Sequence, residues 1–247
     1  MTEQDAKRFE QLCRYDLLLH GSDADGIGTY NEKRIHRILK RFITENAECY
    51  EIKIGKYFAD VVKSDGIFEI QTGSFRSLTN KVEFYLQNTD MNVYIIHPII
   101  SEKRIIRAER DTGEVLKVSR SPKKGRPQDA LAELYHIGKY VSNDRLYVCL
   151  LYIEGEEYRY SEAQRYRRKG RYDNDFRPTA ITGITVLRST EDWRSLLPNV
   201  EGEFTAADFE RAVRLHGRKR YYALSALCDM GMISRRTEGK RHYYSMT

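Results

Sequence analysis

The sequence predicts an α/β fold with a mixed sheet, followed by a small helical unit that ends in a β-hairpin, and three observations carry that reading. Apolar residues recur at Ile35, Ile38, Leu39, Phe42 and Ile43, the spacing of a helix with one buried stripe over residues 29–46. β-Rich segments follow at 49–54, 57–63 and 66–72, separated by Gly55-Lys56 and by Ser64-Asp65-Gly66, and Asp-Gly between such runs signals a hairpin. The chain then closes on a helix, turn, helix and hairpin pattern over residues 204–244.

Between these landmarks the remaining elements follow in order. Gly26-Ile27-Gly28 marks a loop ahead of the first helix. Leu78, Val82, Tyr85 and Leu86 mark an amphipathic helix, and residues 92–98 a buried strand ended by Pro98. A polar hairpin is expected over 104–118 with Thr112-Gly113 at its turn, then a basic Pro/Gly-rich loop at 119–125, a helix at 130–141 and an apolar strand at 145–153 that joins the same sheet. Residues 158–178 are rich in Arg and Tyr and poor in aliphatics, which predicts a loop or extended linker. In the C-terminal segment Thr205 caps a helix running to Leu215 and Gly217 supplies a turn. A second helix over 221–232 places Ala223, Leu224, Leu227 and Met230 on one face, and 234–244 forms a basic hairpin tipped by Glu238-Gly239. The expected division is a catalytic-type core at 1–157, a basic extension at 158–202 and a C-terminal unit at 203–247.

Composition narrows the function. Lys and Arg exceed Asp and Glu by 42 to 36, a net charge of +6 that favours a polyanionic partner, because cations that neutralise phosphates release counterions. The first eight residues carry charge with no apolar run behind it, and no later stretch approaches a membrane span, so a cytoplasmic protein without membrane attachment is expected. Cys13, Cys49, Cys149 and Cys228 are scattered and read as reduced packing residues. His20, His97, His136, His216 and His242 have no zinc-like spacing.

The chemistry is concentrated in Tyr57-Phe58-Ala59-Asp60-Val61-Val62 and Phe68-Glu69-Ile70-Gln71. Side chains alternate along a strand, so Glu69 and Gln71 share a face, and a hairpin between the two segments brings Asp60 beside Glu69. Two neighbouring carboxylates repel unless a cation neutralises them, and hard oxygen donors suit Mg²⁺ or Mn²⁺. Such an ion lowers the pKa of bound water and stabilises charge in phosphodiester displacement.

On these residues the sequence resembles the PD-(D/E)XK nuclease superfamily, whose restriction-endonuclease-like core has the order αβββαβ, over roughly residues 29–98. The resemblance implies a Mg²⁺-dependent DNA endonuclease in which Asp60, Glu69 and the Ile70 carbonyl bind the metal and Glu32 supplies a further acid from the first helix. Gln71 stands where the family usually has Lys, which removes a cation from the site. Lys81, on the following helix, is the expected replacement, with Lys56 and Arg76 as weaker candidates. His36 and Lys40 lie one turn apart on the first helix, and His36 is expected to be a packing residue.

The C-terminal segment resembles a winged helix, which implies DNA contact through Arg218, Lys219 and Arg220 at the start of the second helix and through Arg235, Arg236, Lys240 and Arg241 on the wing. A second basic cluster, Arg165 to Arg171, interleaves cations with Tyr166 and has the composition of a strand-tracking surface or of a solvated linker. Two alternatives stay open: a non-catalytic DNA-binding regulator built on a degenerate nuclease core, and cleavage of RNA. The first turns on whether a basic group reaches Asp60 and Glu69; the second stays open because the same metal chemistry applies to either backbone. A homodimer is compatible with either function.

Overall fold

The computed structural model describes residues 1–20, 29–109, 112–161 and 174–247. The helices are α1 (Glu3–His20), α2 (Thr29–Ile43), α3 (Thr79–Asn88), α4 (Leu134–Ile137), α5 (Thr190–Arg194), α6 (Ala206–Val213) and α7 (Arg218–Asp229). The strands are β1 (Tyr50–Ile54), β2 (Tyr57–Lys63), β3 (Gly66–Ile70), β4 (Val93–Glu109), β5 (Val115–Arg120), β6 (Leu146–Ser161), β7 (Asn174–Leu187), β8 (Ile233–Glu238) and β9 (Arg241–Met246).

β1 to β7 form one mixed sheet in the order β1-β2-β3-β4-β6-β7, with β5 on the far half of β4. β1, β2 and β3 are antiparallel, β3 runs parallel to β4 and β4 to β6, and β7 returns antiparallel to β6. A parallel step needs a crossover, and α3 supplies it between β3 and β4. One face of the sheet buries Phe68, Ile70, Ile96 and Leu151 against Phe9 of α1 and Ile35, Ile38 and Leu39 of α2. The other buries Ile67, Val93, Ile95 and Val148 against Val82, Tyr85 and Leu86 of α3. The sheet is thus covered on both sides, as its parallel centre requires.

Several expectations need correction. β4 does not stop at Pro98 but continues to Glu109. Its β3 neighbour pairs only as far as Ile96 and β5 begins pairing at Arg104, so at Pro98 the strand has a ladder partner on one flank only, where a missing N–H is tolerated. In the extension at 158–202 the described residues 158–161 and 174–187 are sheet: Tyr158 pairs with Asp175, and β7 runs from Asn174 to Leu187. Charged, paired residues interrupt the apolar inward positions Phe176, Ile181 and Leu187 and weaken the strand pattern. Glu157 is buried with Lys103 and Arg159 beside it, Asp175 is buried against Arg34 and Arg177, and the Arg177 guanidinium lies 3.8 Å from the Tyr158 ring centroid. Residues 130–141 form α4 between 3₁₀ turns at Pro127–Glu133 and Gly138–Tyr140, not one continuous helix. The loop expected at 119–125 starts only after β5 ends at Arg120. α1 and α5 were not expected at all.

In the C-terminal segment the Thr205 side chain accepts from the Asp208 N–H, and Asp208 reciprocates at Thr205, a capping box that starts α6. Gly217, at φ +63°, turns the chain into α7, which begins earlier than its apolar face suggested. β8 and β9 form an antiparallel hairpin, and Phe204 bridges Tyr244 beside it. This segment does not hang off the sheet domain. Phe204, Phe209, Leu224 and Leu227 belong to the same continuous apolar core as Leu131, Leu134, Ile137 and Leu150. Cys13, Cys49, Cys149 and Cys228 are free thiols.

Candidate active site

The site is built where β2 and β3 part. Strict alternation would put Ala59 and Val61 on one face, yet Ala59 packs with Ile67 in one apolar cluster and Val61 with Phe68 in the other. The reversal falls at Asp60. Across from it on β1 the ladder passes from Tyr50↔Val61 to Ile52↔Ala59, and the intervening Glu51 adopts a left-handed φ of 52°, a conformation that costs a non-glycine residue about 1–2 kcal/mol. β2 and β3 pair from Lys63↔Gly66 to Val61↔Phe68 and no further. In place of the next ladder bond, Asp60 Oδ2 accepts the Ile70 N–H at 2.8 Å.

The break turns Asp60 toward α2. His36 Nε2 lies 3.1 Å from Asp60 Oδ2, and Lys40 Nζ 3.9 Å from Oδ1 while also pairing with Glu51. Burial works to raise the Asp60 pKa, but the hydrogen bonds from His36 and the Ile70 N–H, with the charges of His36 and Lys40, outweigh it and hold Asp60 below the ordinary carboxylate range. Asp60 is therefore ionised at neutral pH.

Glu69 faces α3 instead and is 1% exposed. Lys81 Nζ donates to both of its oxygens, at 3.1 and 2.9 Å, and to the Phe58 carbonyl at 2.7 Å, while the Tyr85 hydroxyl donates to Oε1 at 3.0 Å. Burial raises the Glu69 pKa to about 7; Lys81 pulls it down and the Asp60 charge pushes it up. Asp60 thus faces α2 and Glu69 faces α3, with the Asp60 charge among the influences that raise the Glu69 pKa. Burial and the Glu69 charge raise the Tyr85 hydroxyl well above its ordinary value, so Tyr85 stays a proton donor.

Gln71 does not point into this group. Its Nε2 donates to the Ser74 carbonyl at 2.7 Å, its N–H to Ile96 O, and its carbonyl accepts from His97 Nδ1 at 2.6 Å. Burial lowers the His97 pKa, so a neutral imidazole holds Gln71 in place. Glu133 pins the same loop by accepting from Ser74 Oγ and the Phe75 N–H. Glu32 falls on α2, and its side chain lies outside the described residues. Lys56 lies over the Tyr57 ring and Arg76 forms no ion pair among the described residues, so Lys81 is the cation that reaches Glu69 from the α3 side. Sequence reasoning undervalued His36, although Glu32, His36 and Lys40 recur every four residues on one helix face, and it missed Tyr85, which read only as a core position.

The basic residues of the C-terminal unit divide into two sets. Arg220 pairs with Glu210 and its Nη2 reaches the Tyr221 hydroxyl, and Arg236 is clamped by Glu203 at 2.9 Å and Glu238 at 2.8 Å. These expected contacts are engaged within the fold. Arg218, Lys219, Arg235, Lys240 and Arg241 are exposed and have no carboxylate within 4.0 Å among the described residues. The Arg165–Arg171 cluster lies outside the described residues. No described helix is long and apolar enough to cross a membrane.

A family model described as a domain of unknown function, DUF8091, matches residues 33–188, a span that contains His36, Asp60, Glu69, Gln71 and Lys81 and ends before α6. No curated protein and no solved structure matches the chain. The matched span covers more than half of the sequence, and the chain belongs to the DUF8091 family.

Proposed function

We propose that the chain is a Mg²⁺- or Mn²⁺-dependent deoxyribonuclease of the PD-(D/E)XK type, directed to DNA by a C-terminal winged helix. The observation that carries this reading is Lys81 Nζ at 2.9 Å from Glu69 Oε2. In this reading a lysine from the next helix, in contact with Glu69, stands in for the one that Gln71 displaces. The order α2, β1-β2-β3, α3, β4, with a mixed sheet, supports the same reading.

The donor set fits a divalent cation. Asp60 and Glu69 offer hard carboxylate oxygens, and a buried glutamate with a pKa raised to about 7 is a group that a nearby cation would ionise. Asp60 and Glu69, with the Ile70 carbonyl that the family resemblance adds, would hold the ion, which when bound supplies Lewis-acid activation of water and charge stabilisation at phosphorus. The chain's own residues supply the rest. His36 and the Ile70 N–H orient Asp60, and Tyr85 orients Glu69. Lys81 already has a second acceptor in the Phe58 carbonyl, so its ammonium can leave one Glu69 oxygen and face a phosphate oxygen without losing every partner.

A metal-free DNA-binding regulator is the competing reading, favoured by the fact that Lys81 and Tyr85 already engage the Glu69 oxygens. Incubation of the purified protein with supercoiled, linear and branched DNA in Mg²⁺ or Mn²⁺ separates the two. Divalent-dependent strand cleavage is the expected result; binding without cleavage in either metal makes the protein a regulator.

A further inference from the structure

Where α7 meets α4, the surface opens into a cleft of about 570 Å³. Its lining includes apolar Leu134, Ala226 and Met230 together with polar Ser142, Thr190 and Asp229. Tyr135 lines the cleft, Tyr222 stands beside it on α7, and the core buries neither ring. Tyr135 is 52% exposed, Tyr222 is 37% exposed, and the two rings stack with centroids 4.8 Å apart and planes inclined at 27°. His136 packs its edge against Tyr135 at 5.4 Å.

Residues three and four apart share a helix face. Tyr222 therefore lies on the α7 face of Ala226 below it and of Arg218 and Lys219 above it. Those two cations are exposed and have no carboxylate within 4.0 Å among the described residues. One helix face thus presents, in order, cations, an exposed ring and a cleft with polar residues in its lining.

We propose that this cleft is a binding site for an unpaired DNA base, stacked on the Tyr135–Tyr222 pair with its flanking phosphate held by Arg218 and Lys219. The inference rests on the reading of the C-terminal unit as a DNA-binding module and narrows it to a substrate class: single-stranded, flapped or branched DNA. The volume suits a ligand of base or nucleoside size, and exposed tyrosines offer a π-face to any base. In an intact duplex the base faces are stacked on each other and cannot use such a ring pair. The mixed donors and acceptors of the lining, the Ser142 and Thr190 hydroxyls and the Asp229 carboxylate, match the edge of a base better than an apolar ligand.

The test uses the full chain, a labelled oligothymidylate and a duplex of the same length. Tyr222→Ala and Tyr135→Ala should each weaken single-strand binding about tenfold or more, leave duplex binding unchanged, and leave Tyr222→Phe close to wild type. A 2-aminopurine placed in the single strand should lose fluorescence when wild-type protein binds, which tests stacking without any substitution. Alanine variants that bind the single strand as wild type does, or an unquenched 2-aminopurine in a formed complex, would overturn the inference and leave the rings as staples between α7 and α4. Wild-type protein that binds neither oligonucleotide would instead remove the DNA-binding reading on which the inference stands.

Discussion

At Glu69, burial opposes the charge that Lys81 favours, and burial is the larger effect: the folded chain holds the proton to about pH 7, against 4.5 for an ordinary glutamate. The sign follows from linkage. The folded state binds the proton more tightly than the unfolded state, so this group's contribution to stability is full below pH 4.5 and is lost as pH rises toward 7. Above pH 7 the ionised carboxylate costs the metal-free fold about 3 kcal/mol. Glu69→Gln should therefore raise the thermal midpoint at pH 8 by several degrees and change it little at pH 5, while abolishing divalent-dependent cleavage. Thermal unfolding at the two pH values checks this; an equal difference at both would mean that Lys81 fully compensates the buried charge. Lys81→Ala belongs to the same scale. It removes the cation nearest the acids, and a loss of cleavage of about a hundredfold with unchanged DNA affinity is expected, measured by single-turnover kinetics and anisotropy.

Among the elements, α1 and α2 are locked to each other and to the sheet by charge. Asp16 of α1 is 1% exposed and accepts from Arg37 Nε and Nη2 at 3.0 Å each, with Arg34 Nε at 3.5 Å, and Arg34 continues to Asp175 of β7. Truncating Asp16 strands buried guanidinium charge, so Asp16→Ala should cost about 3–5 kcal/mol in denaturant unfolding, against less than about 1 kcal/mol for the exposed pair partner Glu3→Ala. The same charges explain what the sequence hid. The buried face of α1 reads Phe9, Cys13, Asp16, and a stripe with a carboxylate in it does not score as apolar. β7 escaped for the like reason, through Asp175 and Arg177. β2 and β3, by contrast, were legible to within two residues, because glycine-marked turns bound them, although the ladder between them ends at Val61↔Phe68, short of Asp60 and Glu69. The reach of Lys81 to Glu69 was a guess from helix position; the packing of α3 on β3 decides it, and local pattern does not encode that. The reversal of β2 at Asp60 depends on a left-handed Glu51, for which the sequence carries no signal.

For the molecule as a whole, the C-terminal unit and the sheet domain share one core. The sequence pattern sets residues 203–247 apart as a unit of their own, but α7 covers Leu131, Leu134 and Ile137, and Arg126 Nη2 donates to the Val213 carbonyl. A chain truncated before Phe204 should expose that apolar surface and lose cooperative unfolding, which circular dichroism melts and light scattering would register. A soluble truncated chain with a sharp transition would show that the two parts fold independently. The shared core joins α7, with its exposed cations, to the sheet that carries Asp60 and Glu69. Under the proposed function, Asp60 and Glu69 perform divalent-dependent phosphodiester cleavage on DNA that the C-terminal unit holds. The most direct measurement is cleavage of labelled DNA in Mg²⁺ by wild-type protein and by Asp60→Asn, with binding of the same DNA followed by anisotropy. The account predicts cleavage by the wild type, none by Asp60→Asn, and equal affinity for the two; cleavage that survives Asp60→Asn would contradict it.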